Sequence, residues 1–317
     1  MIGGLPDGVL LCMGLILLVF GGEAVVQGSI KIAGHFGMPS FLVGFTLVAI
    51  GTSLPELGVV LNALNRGTAE SVDLAVGGVV GSNIANVMLV LSIAIILGAT
   101  SRTDKNLRED AIMLLVATGV ILGATLVGEF PAWLGVVSMI SMGAYFGYIL
   151  KTREDDSGEE GESWIPGGMG VASIAFIGGL VLVKYGSDFL IEGGEGVAIS
   201  IGVPETVIGL TLVAFGTSLP ELAVTITASL RGVQGVAIGN LLGSNVANVM
   251  AVLSIGSLVS GGIGIANSFI DLDIWILVAS SGLVAFSILL GRGLSRPLGG
   301  LMLIGYAAYI VHLFMGS

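Results

Sequence analysis

Long apolar runs dominate this chain, broken at intervals by a few charges or turn residues. A helix needs about 20 apolar residues to cross the hydrocarbon core of a bilayer. Cutting at charges and turn residues predicts ten such spans: 8–33, 40–64, 73–98, 109–127, 131–150, 168–193, 205–230, 234–260, 270–291 and 297–315. One long polar stretch, KTREDDSGEEGESWIP from Lys151 to Pro166, reads as a solvated linker between two halves. Composition supports this: the chain is 54% hydrophobic and only 10% charged, where a soluble domain carries about a quarter charged residues. The expected fold class is an all-α integral membrane protein with ten transmembrane helices.

The two halves repeat one another. GTSLPEL occurs at 51–57 and again at 216–222, and GSNIANVM at 81–88 matches GSNVANVM at 243–250. Gly21, Pro39, Gly44 and Gly51 fall opposite Gly186, Pro204, Gly209 and Gly216, each at an offset of 165, while the second motif pair is offset by 162. Five spans in each half is an odd number, so the second half enters from the opposite face. That predicts inverted repeats, as in many secondary transporters. The organisation is then a first five-helix repeat at 1–150, an acidic linker at 151–167 and a second, inverted repeat at 168–317.

Positive residues set the orientation. With the N-terminus outside, Lys31, Arg102, Lys105, Arg108, Lys151, Arg153, Arg231, Arg292 and Arg296 fall at inner connections, against Arg66 alone outside. This positive-inside bias predicts a multi-pass protein of the cell membrane with both termini outside and the linker cytoplasmic. The N-terminal MIGGLPDG lacks the basic residues of a cleaved signal, so the first apolar run reads as the first span.

Charge and cysteine content remove several function classes. Net charge is −11, with six acids between Glu154 and Glu162, which argues against a nucleic-acid partner. That acidic run lacks the ligand spacing of a Ca²⁺-binding loop. Cys12 is the sole cysteine, so no intrachain disulfide forms. There is no HExxH motif and no pair of intramembrane aspartates, so an enzyme is not expected.

Chemistry concentrates in the repeated motifs. Proline lacks an N–H and clashes with the carbonyl four residues back, so Pro55 and Pro220 free the carbonyls of Gly51 and Gly216. Those of Ala49 and Ala214, near the same breaks, are expected to turn inward. Freed carbonyls are tolerated in a membrane only where protein or a cavity surrounds them. Thr52 and Glu56 share a helix face, as do Thr217 and Glu221, with Ser53 and Ser218 beside them. Downstream, Ser82 pairs with Asn86 and Ser244 with Asn248 at the same spacing. Every donor is an oxygen, with no His or Cys to suggest zinc or copper. Such a set suits hard cations such as Ca²⁺ and Na⁺, and two inverted copies would bring Glu56 and Glu221 together near the bilayer midplane. One Ca²⁺ neutralises two glutamates, and so do two Na⁺ or two H⁺. An empty site leaves two like charges in a poor dielectric, which favours exchange over passage.

Blander readings exist for each motif. A glutamate beside a proline can be a satisfied structural acid at a kink, and Ser or Asn in a membrane helix often serves helix packing. Occurrence in two inverted halves weighs toward an ion site. An H⁺-coupled antiporter, an antiporter of another divalent cation, and a cation channel remain as alternatives. A channel repeats its filter around an oligomeric axis, whereas inverted repeats within one chain favour a carrier.

At these residues the chain resembles the α-repeats of the sodium/calcium exchangers in the calcium/cation antiporter superfamily. The resemblance spans essentially the whole chain and is of the prokaryotic type, since a linker of about 16 residues cannot hold a large regulatory domain. It implies Na⁺-driven Ca²⁺ transport by alternating access, with spans 2, 3, 7 and 8 forming the ion site and spans 1 and 6 sliding across them. The implied ion ligands are Ala49, Thr52, Ser53, Glu56, Ser82 and Asn86, with Ala214, Thr217, Ser218, Glu221, Ser244 and Asn248, and among them Glu56, Glu221, Thr52 and Thr217 are the implied metal ligands. Potassium-dependent relatives have Asp where this chain has Asn248, which argues against K⁺ co-transport, and GTSLPE differs from the motif of proton/calcium exchangers. No cofactor and no obligate protein partner are implied; the bilayer is the expected surrounding. Glu23 and Asp188 are repeat-equivalent and are expected to cap or pair beside the sliding helices, with the lining of an ion entry path as the alternative reading. Glu192 and Glu195 are expected near an outer helix end, His35 and His312 near helix ends as bystanders, and Lys184 within a span, snorkelling toward an interface.

Overall fold

The structure is a computed structural model that describes residues 5–99, 105–153, 163–202 and 216–316. Its helices, in chain order, are α1 (Asp7–Phe36), α2 (Ser40–Arg66), α3 (Ala69–Leu97), α4 (Lys105–Val127), α5 (Ala132–Thr152), α6 (Met169–Ser200), α7 (Leu219–Leu230), α8 (Gln234–Ser260), α9 (Asp273–Leu289) and α10 (Arg296–Gly316). Seven of these, α1 to α6 and α8, are long and apolar enough to cross a membrane; α7 and α9 are shorter apolar helices, and α10 has 21 residues. Each expected span therefore has a helix at its place, and the first part of span 205–230 lies outside the described residues.

Three details differ from the sequence reading. First, α6 runs on to Ser200, so Glu192 and Glu195 sit within a helix and not at its end. Second, the linker is not solvated at its ends. Arg153 is buried and pairs with the fully buried Asp110 of α4 at 2.8 Å, with side-chain exposures of 2% and 0%. Its guanidinium also lies over the Phe41 ring of α2. At the other end, Ser163 donates to the Gln27 carbonyl at 3.0 Å, the Trp164 indole donates to Glu23 at 3.1 Å, and Lys31 donates to the Ile165 carbonyl. Residues 154–162 lie outside the described residues. Third, two short strands, β1 (Glu129–Pro131) and β2 (Gly262–Gly264), pair antiparallel between the α4–α5 and α8–α9 connections, with Phe130 opposite Ile263.

Burial ranks the helices. In α3 and α8, 78% of the most apolar window is buried, against 17% in α5. The central pair is thus wrapped by protein, while α5 turns Trp133 and Ile140 outward and α1 turns Val19 and Phe20 outward. In water such a surface would be costly; in lipid it is the matched solvent.

The long helices α1 and α6 meet along a seam of glycines spaced by seven: Gly14, Gly21 and Gly28 on one, Gly179, Gly186 and Gly193 on the other. A methyl group at Gly21 would lie 2.8 Å from the Val183 backbone nitrogen, and one at Gly186 would lie 2.9 Å from that of Leu18. Only hydrogen fits there, and such small residues let membrane helices pack backbone to backbone. Gly14 faces Leu190, Gly21 faces Val183 and Gly28 faces Phe176. Numbers rise along one helix and fall along the other, so the leading helices of the two halves are antiparallel. That is the relation inverted repeats require.

Candidate functional site

The two GTSLPE motifs break their helices in the same way. Ser53 has φ −85°, ψ 0°, and Ser218 has φ −91°, ψ 1°; each is followed by a new helical start with proline in its first turn. Proline is at home there because its missing N–H has no intrahelical partner to lose. Glu56 and Glu221 therefore occupy the first turns of fresh helices, where a carboxylate interacts well with the free N–H groups. Downstream, α3 and α8 each widen into a π-helical stretch that begins at the motif's second asparagine: Asn86–Val90 and Asn248–Leu253. Such bulges recur at functional sites.

These four breaks converge. Ser82 Oγ lies 3.3 Å from Glu56 Oε1, and Ser244 Oγ lies 3.4 Å from Glu221 Oε1, so each glutamate is held by the serine of its own half. Each serine is met by a hydroxyl of the other half: Ser82 by Ser218 at 3.2 Å, and Ser244 by Thr52 at 3.3 Å. The Ala49 carbonyl is approached by Thr52 Oγ1 at 3.3 Å and by Ser244 Oγ at 3.5 Å. The two carboxylates are near enough to repel one another, and they are 2% and 0% exposed.

Around this centre many polar atoms have no partner among the described residues. They include seven oxygens: Ser53 Oγ, Glu56 Oε2, Asn86 Oδ1, Thr217 Oγ1, Glu221 Oε2, Asn245 Oδ1 and Asn248 Oδ1. A buried polar atom without a partner costs on the order of 1–3 kcal/mol, and native interiors hold few of them. Seven such oxygens, two of them carboxylate oxygens, belong to these four motif segments, and all are of the kind that hard cations prefer. Two cavities approach these segments. One, of about 680 Å³, is bordered by Thr52, Pro55, Asn62, Lys184, Asp188 and Pro220. The other, of about 260 Å³, is bordered by Pro55, Lys184, Ser187, Asp188, Gly216 and Thr217.

The structure brings together Ala49, Thr52, Ser53, Glu56, Ser82 and Asn86 with Thr217, Ser218, Glu221, Ser244 and Asn248 on four adjoining helices; Ala214 lies outside the described residues. Sequence reasoning missed Asn83 and Asn245. Asn83 Nδ2 donates to the Asn245 carbonyl and Asn245 Nδ2 to the Asn83 carbonyl, both at 3.2 Å. The only trace of this reciprocal clasp in the sequence is the unchanged third residue of each GSN triplet, which lies off the i,i+4 face shared by the serine and the second asparagine. Asn248 Nδ2 adds a bond to Asn83 Oδ1 at 3.0 Å. Asn240 was also missed: its Oδ1 lies 3.2 Å from Thr52 Oγ1 and its Nδ2 donates to Thr225 at 3.1 Å. Its repeat position is Gly78, so no symmetry pointed to it.

The flanking charges are paired. Glu23 accepts from Arg231 at 2.9 Å, and Lys184 pairs with Asp188 one turn away. Lys184, for which the sequence offered snorkelling as one possibility, thus has a charge partner beside the cavities.

Comparison with known proteins gives a consistent result. Residues 8–151 and 171–315 match the family described as sodium/calcium exchanger protein. The chain is similar to the sodium/calcium exchanger MaX1 of Methanosarcina acetivorans, 28% identical over 96% of this chain and 98% of that one. It is also similar to the inner membrane protein YrbG of Escherichia coli, at 31% identity over 96% and 95%. The solved structure of the sodium-calcium exchanger NCX_Mj, soaked with Na⁺ and Ca²⁺, superposes with a TM-score of 0.81 at 31% identity, covering 96% of this chain and 97% of that one.

Proposed function

The chain belongs to the sodium/calcium exchanger family of multi-pass membrane antiporters, and from that premise we propose that it exchanges Na⁺ for Ca²⁺ at the Glu56–Glu221 cage by alternating access. One observation supports this reading: two buried carboxylates and five further buried side chains of the same motifs each have, among the described residues, an oxygen without a partner. Glu56 and Glu221 supply the charge. The hydroxyls of Thr52, Thr217, Ser53, Ser218, Ser82 and Ser244, the amides of Asn86 and Asn248 and the Ala49 carbonyl supply neutral ligands, with Ala214 as the counterpart of Ala49. Ca²⁺ takes about 6–8 oxygens, a number this set can offer without a water shell.

Charge balance then enforces coupling. The ion-free cage keeps two carboxylates out of water and against each other, a costly arrangement. One Ca²⁺ or two Na⁺ cancel it. A conformational change that buries the cage is cheap when the cage is filled and costly when it is empty, so one ion species leaves only as another arrives. Asn248 keeps both halves at a single carboxylate, which supports exchange without K⁺. In the membrane, repeats 1–150 and 168–317 form the two inverted halves, the 151–167 linker faces the cytoplasm and both termini lie outside, as the positive residues favour.

The test is ⁴⁵Ca²⁺ uptake into proteoliposomes loaded with Na⁺ and diluted into Na⁺-free medium, with equal Na⁺ and a pH gradient as parallel arms. Uptake that needs the outward Na⁺ gradient is the expected result. Uptake driven by the pH gradient alone would replace the coupling ion, and none in either arm from folded protein would overturn the reading.

A further inference from the structure

The two repeats match in sequence but not in conformation, and the mismatch centres on four charged residues. Glu23 and Asp188 are repeat-equivalent at the offset of 165, and so are Arg66 and Arg231. In the second half of the site, Arg231, just after α7, reaches across to Glu23 of α1 at 2.9 Å. That carboxylate also accepts from Gln27 and from the Trp164 indole, each at 3.1 Å. The symmetry-related pair, Asp188 of α6 with Arg66 at the end of α2, is not made. Asp188 is held by Lys184 instead, and the exposed Arg66 forms no ion pair among the described residues.

Packing shows the same asymmetry. Beside Glu23, α1 lies tight on α7: a methyl group at Gly22 would be 2.8 Å from Thr227 Oγ1 and 3.1 Å from the Ala223 carbonyl. The equivalents of these three residues are Ser187, Asn62 and Gly58. All three border the cavities between α6 and α2, and a methyl group at Gly58 would meet nothing within 4 Å. Arg66 sits one turn beyond Asn62. The two pairs lie toward opposite ends of the molecule. Along α2, Gly51 lies against Leu180 while the later residue Val59 borders a cavity with the later α6 residues Ser187, Asp188 and Ile191, so α2 runs with α6. Along α7, Gly216 lies against Ile191 and Thr227 against Gly22, so α7 runs against α6.

In a carrier built from inverted repeats, the opposite state is reached when each half adopts the other's conformation. Applied to the contacts above, that exchange breaks Glu23–Arg231, forms Asp188–Arg66, closes α6 onto α2 and opens α1 from α7. We propose that Glu23–Arg231 and Asp188–Arg66 are alternating gates, the first made in this conformation and the second in the opposite one. Lys184 holds Asp188 while its gate is open. The repeat position of Lys184 is Val19, so α1 has no such cation. This one-sided device biases the resting protein toward the conformation described here. The inference rests on the carrier reading of the function.

The test uses a Cys12→Ser background, which removes the only thiol, with Asn62→Cys as a reporter in the larger cavity. A hydrophilic maleimide labels it while the cavity is open. Glu23→Gln, Arg231→Gln and Lys184→Met should each slow labelling, by roughly two- to fivefold for the loss of one partly exposed ion pair. A control cysteine at the exposed Asp271 should keep its rate. The exchange Glu23→Arg with Arg231→Glu should restore the Asn62→Cys rate. Arg66→Cys with Asp188→Cys should be bridged by a short bifunctional thiol reagent more readily when Glu23→Gln is present. Unmoved labelling in Glu23→Gln and Arg231→Gln, slowing that the charge exchange does not restore, or bridging that ignores Glu23→Gln overturns the proposal. Labelling needs no ion flux, so the two readings fail separately. A chain that gates but exchanges neither ion loses only the exchange reading, and one that exchanges with labelling unmoved loses only the gates.

Discussion

Glu56→Gln changes one atom of the cage and should alter stability in opposite senses with and without Ca²⁺. In the structure Glu56 Oε1 is held by Ser82 at 3.3 Å, a contact that a glutamine carbonyl keeps. Among the described residues Oε2 has no partner, and it lies in the field of Glu221. Without ions, the substitution removes buried charge and its repulsion, so the variant should unfold at the same temperature as the parent or higher. With Ca²⁺, losing one member of a buried charge pair costs about 2–5 kcal/mol. At 1.4 kcal/mol per tenfold, Kd should rise roughly thirty- to several-thousand-fold. At a Ca²⁺ concentration about 100 times the parent's Kd, binding stabilises the parent by about 2.7 kcal/mol; the variant should gain less than about 1 kcal/mol by the same relation. Thermal unfolding of detergent-solubilised protein in chelator and in Ca²⁺ reads both effects, and the order of the two proteins should reverse. A variant that is less stable in chelator yet gains as much from Ca²⁺ as the parent would identify Glu56 as a structural acid and refute the reasoning.

Two further changes probe the surroundings. Asn248→Asp removes the amide bond to Asn83 Oδ1 and adds a third carboxylate, so half-maximal Na⁺ in exchange should fall several-fold while Ca²⁺ turnover slows; an unaltered Na⁺ dependence would separate this residue from the ions. Asp110→Asn leaves Arg153 buried without its carboxylate, at a cost of about 3–5 kcal/mol, whereas Asp110→Leu with Arg153→Met should recover most of that stability. Thermal unfolding measures both, and an unchanged midpoint for Asp110→Asn would mean the pair does not hold the α4–α5 end together.

Much of this was legible because the bilayer imposes a simple rule on sequence. Apolar length located the helices, the doubled motifs revealed the repeat, and five spans in each half implied its inversion, which agrees with the antiparallel α1–α6 seam. The glutamates, hydroxyls and asparagines stood out because polar atoms are rare in such runs. What stayed hidden depends on contacts between distant segments. Asp110 sits among charges at a predicted span edge, and only its neighbour Arg153, folded back from beyond α5, reveals it as interior. Asn240 has no repeat counterpart. The π-helical stretches at Asn86 and Asn248 leave no local signature, since the surrounding helices hold the extra residue in place. The seven-residue glycine period was present in the sequence, but nothing there said that its partner was the same period in the other half.

The Asn83–Asn245 clasp has a consequence for how such a molecule can be assembled. Each asparagine gives its side-chain amide to the other's carbonyl at the same distance, so the contact looks the same from either side. That is the mark of an isologous interface, in which one surface serves both subunits of a two-fold dimer. A half-length polypeptide inserting in both orientations would find this contact already self-complementary, with no change at that position. Joined in one chain, the pair gives the two repeats a contact made from equivalent residues on each side. The proposed exchange of shapes between the halves therefore requires no change at this contact.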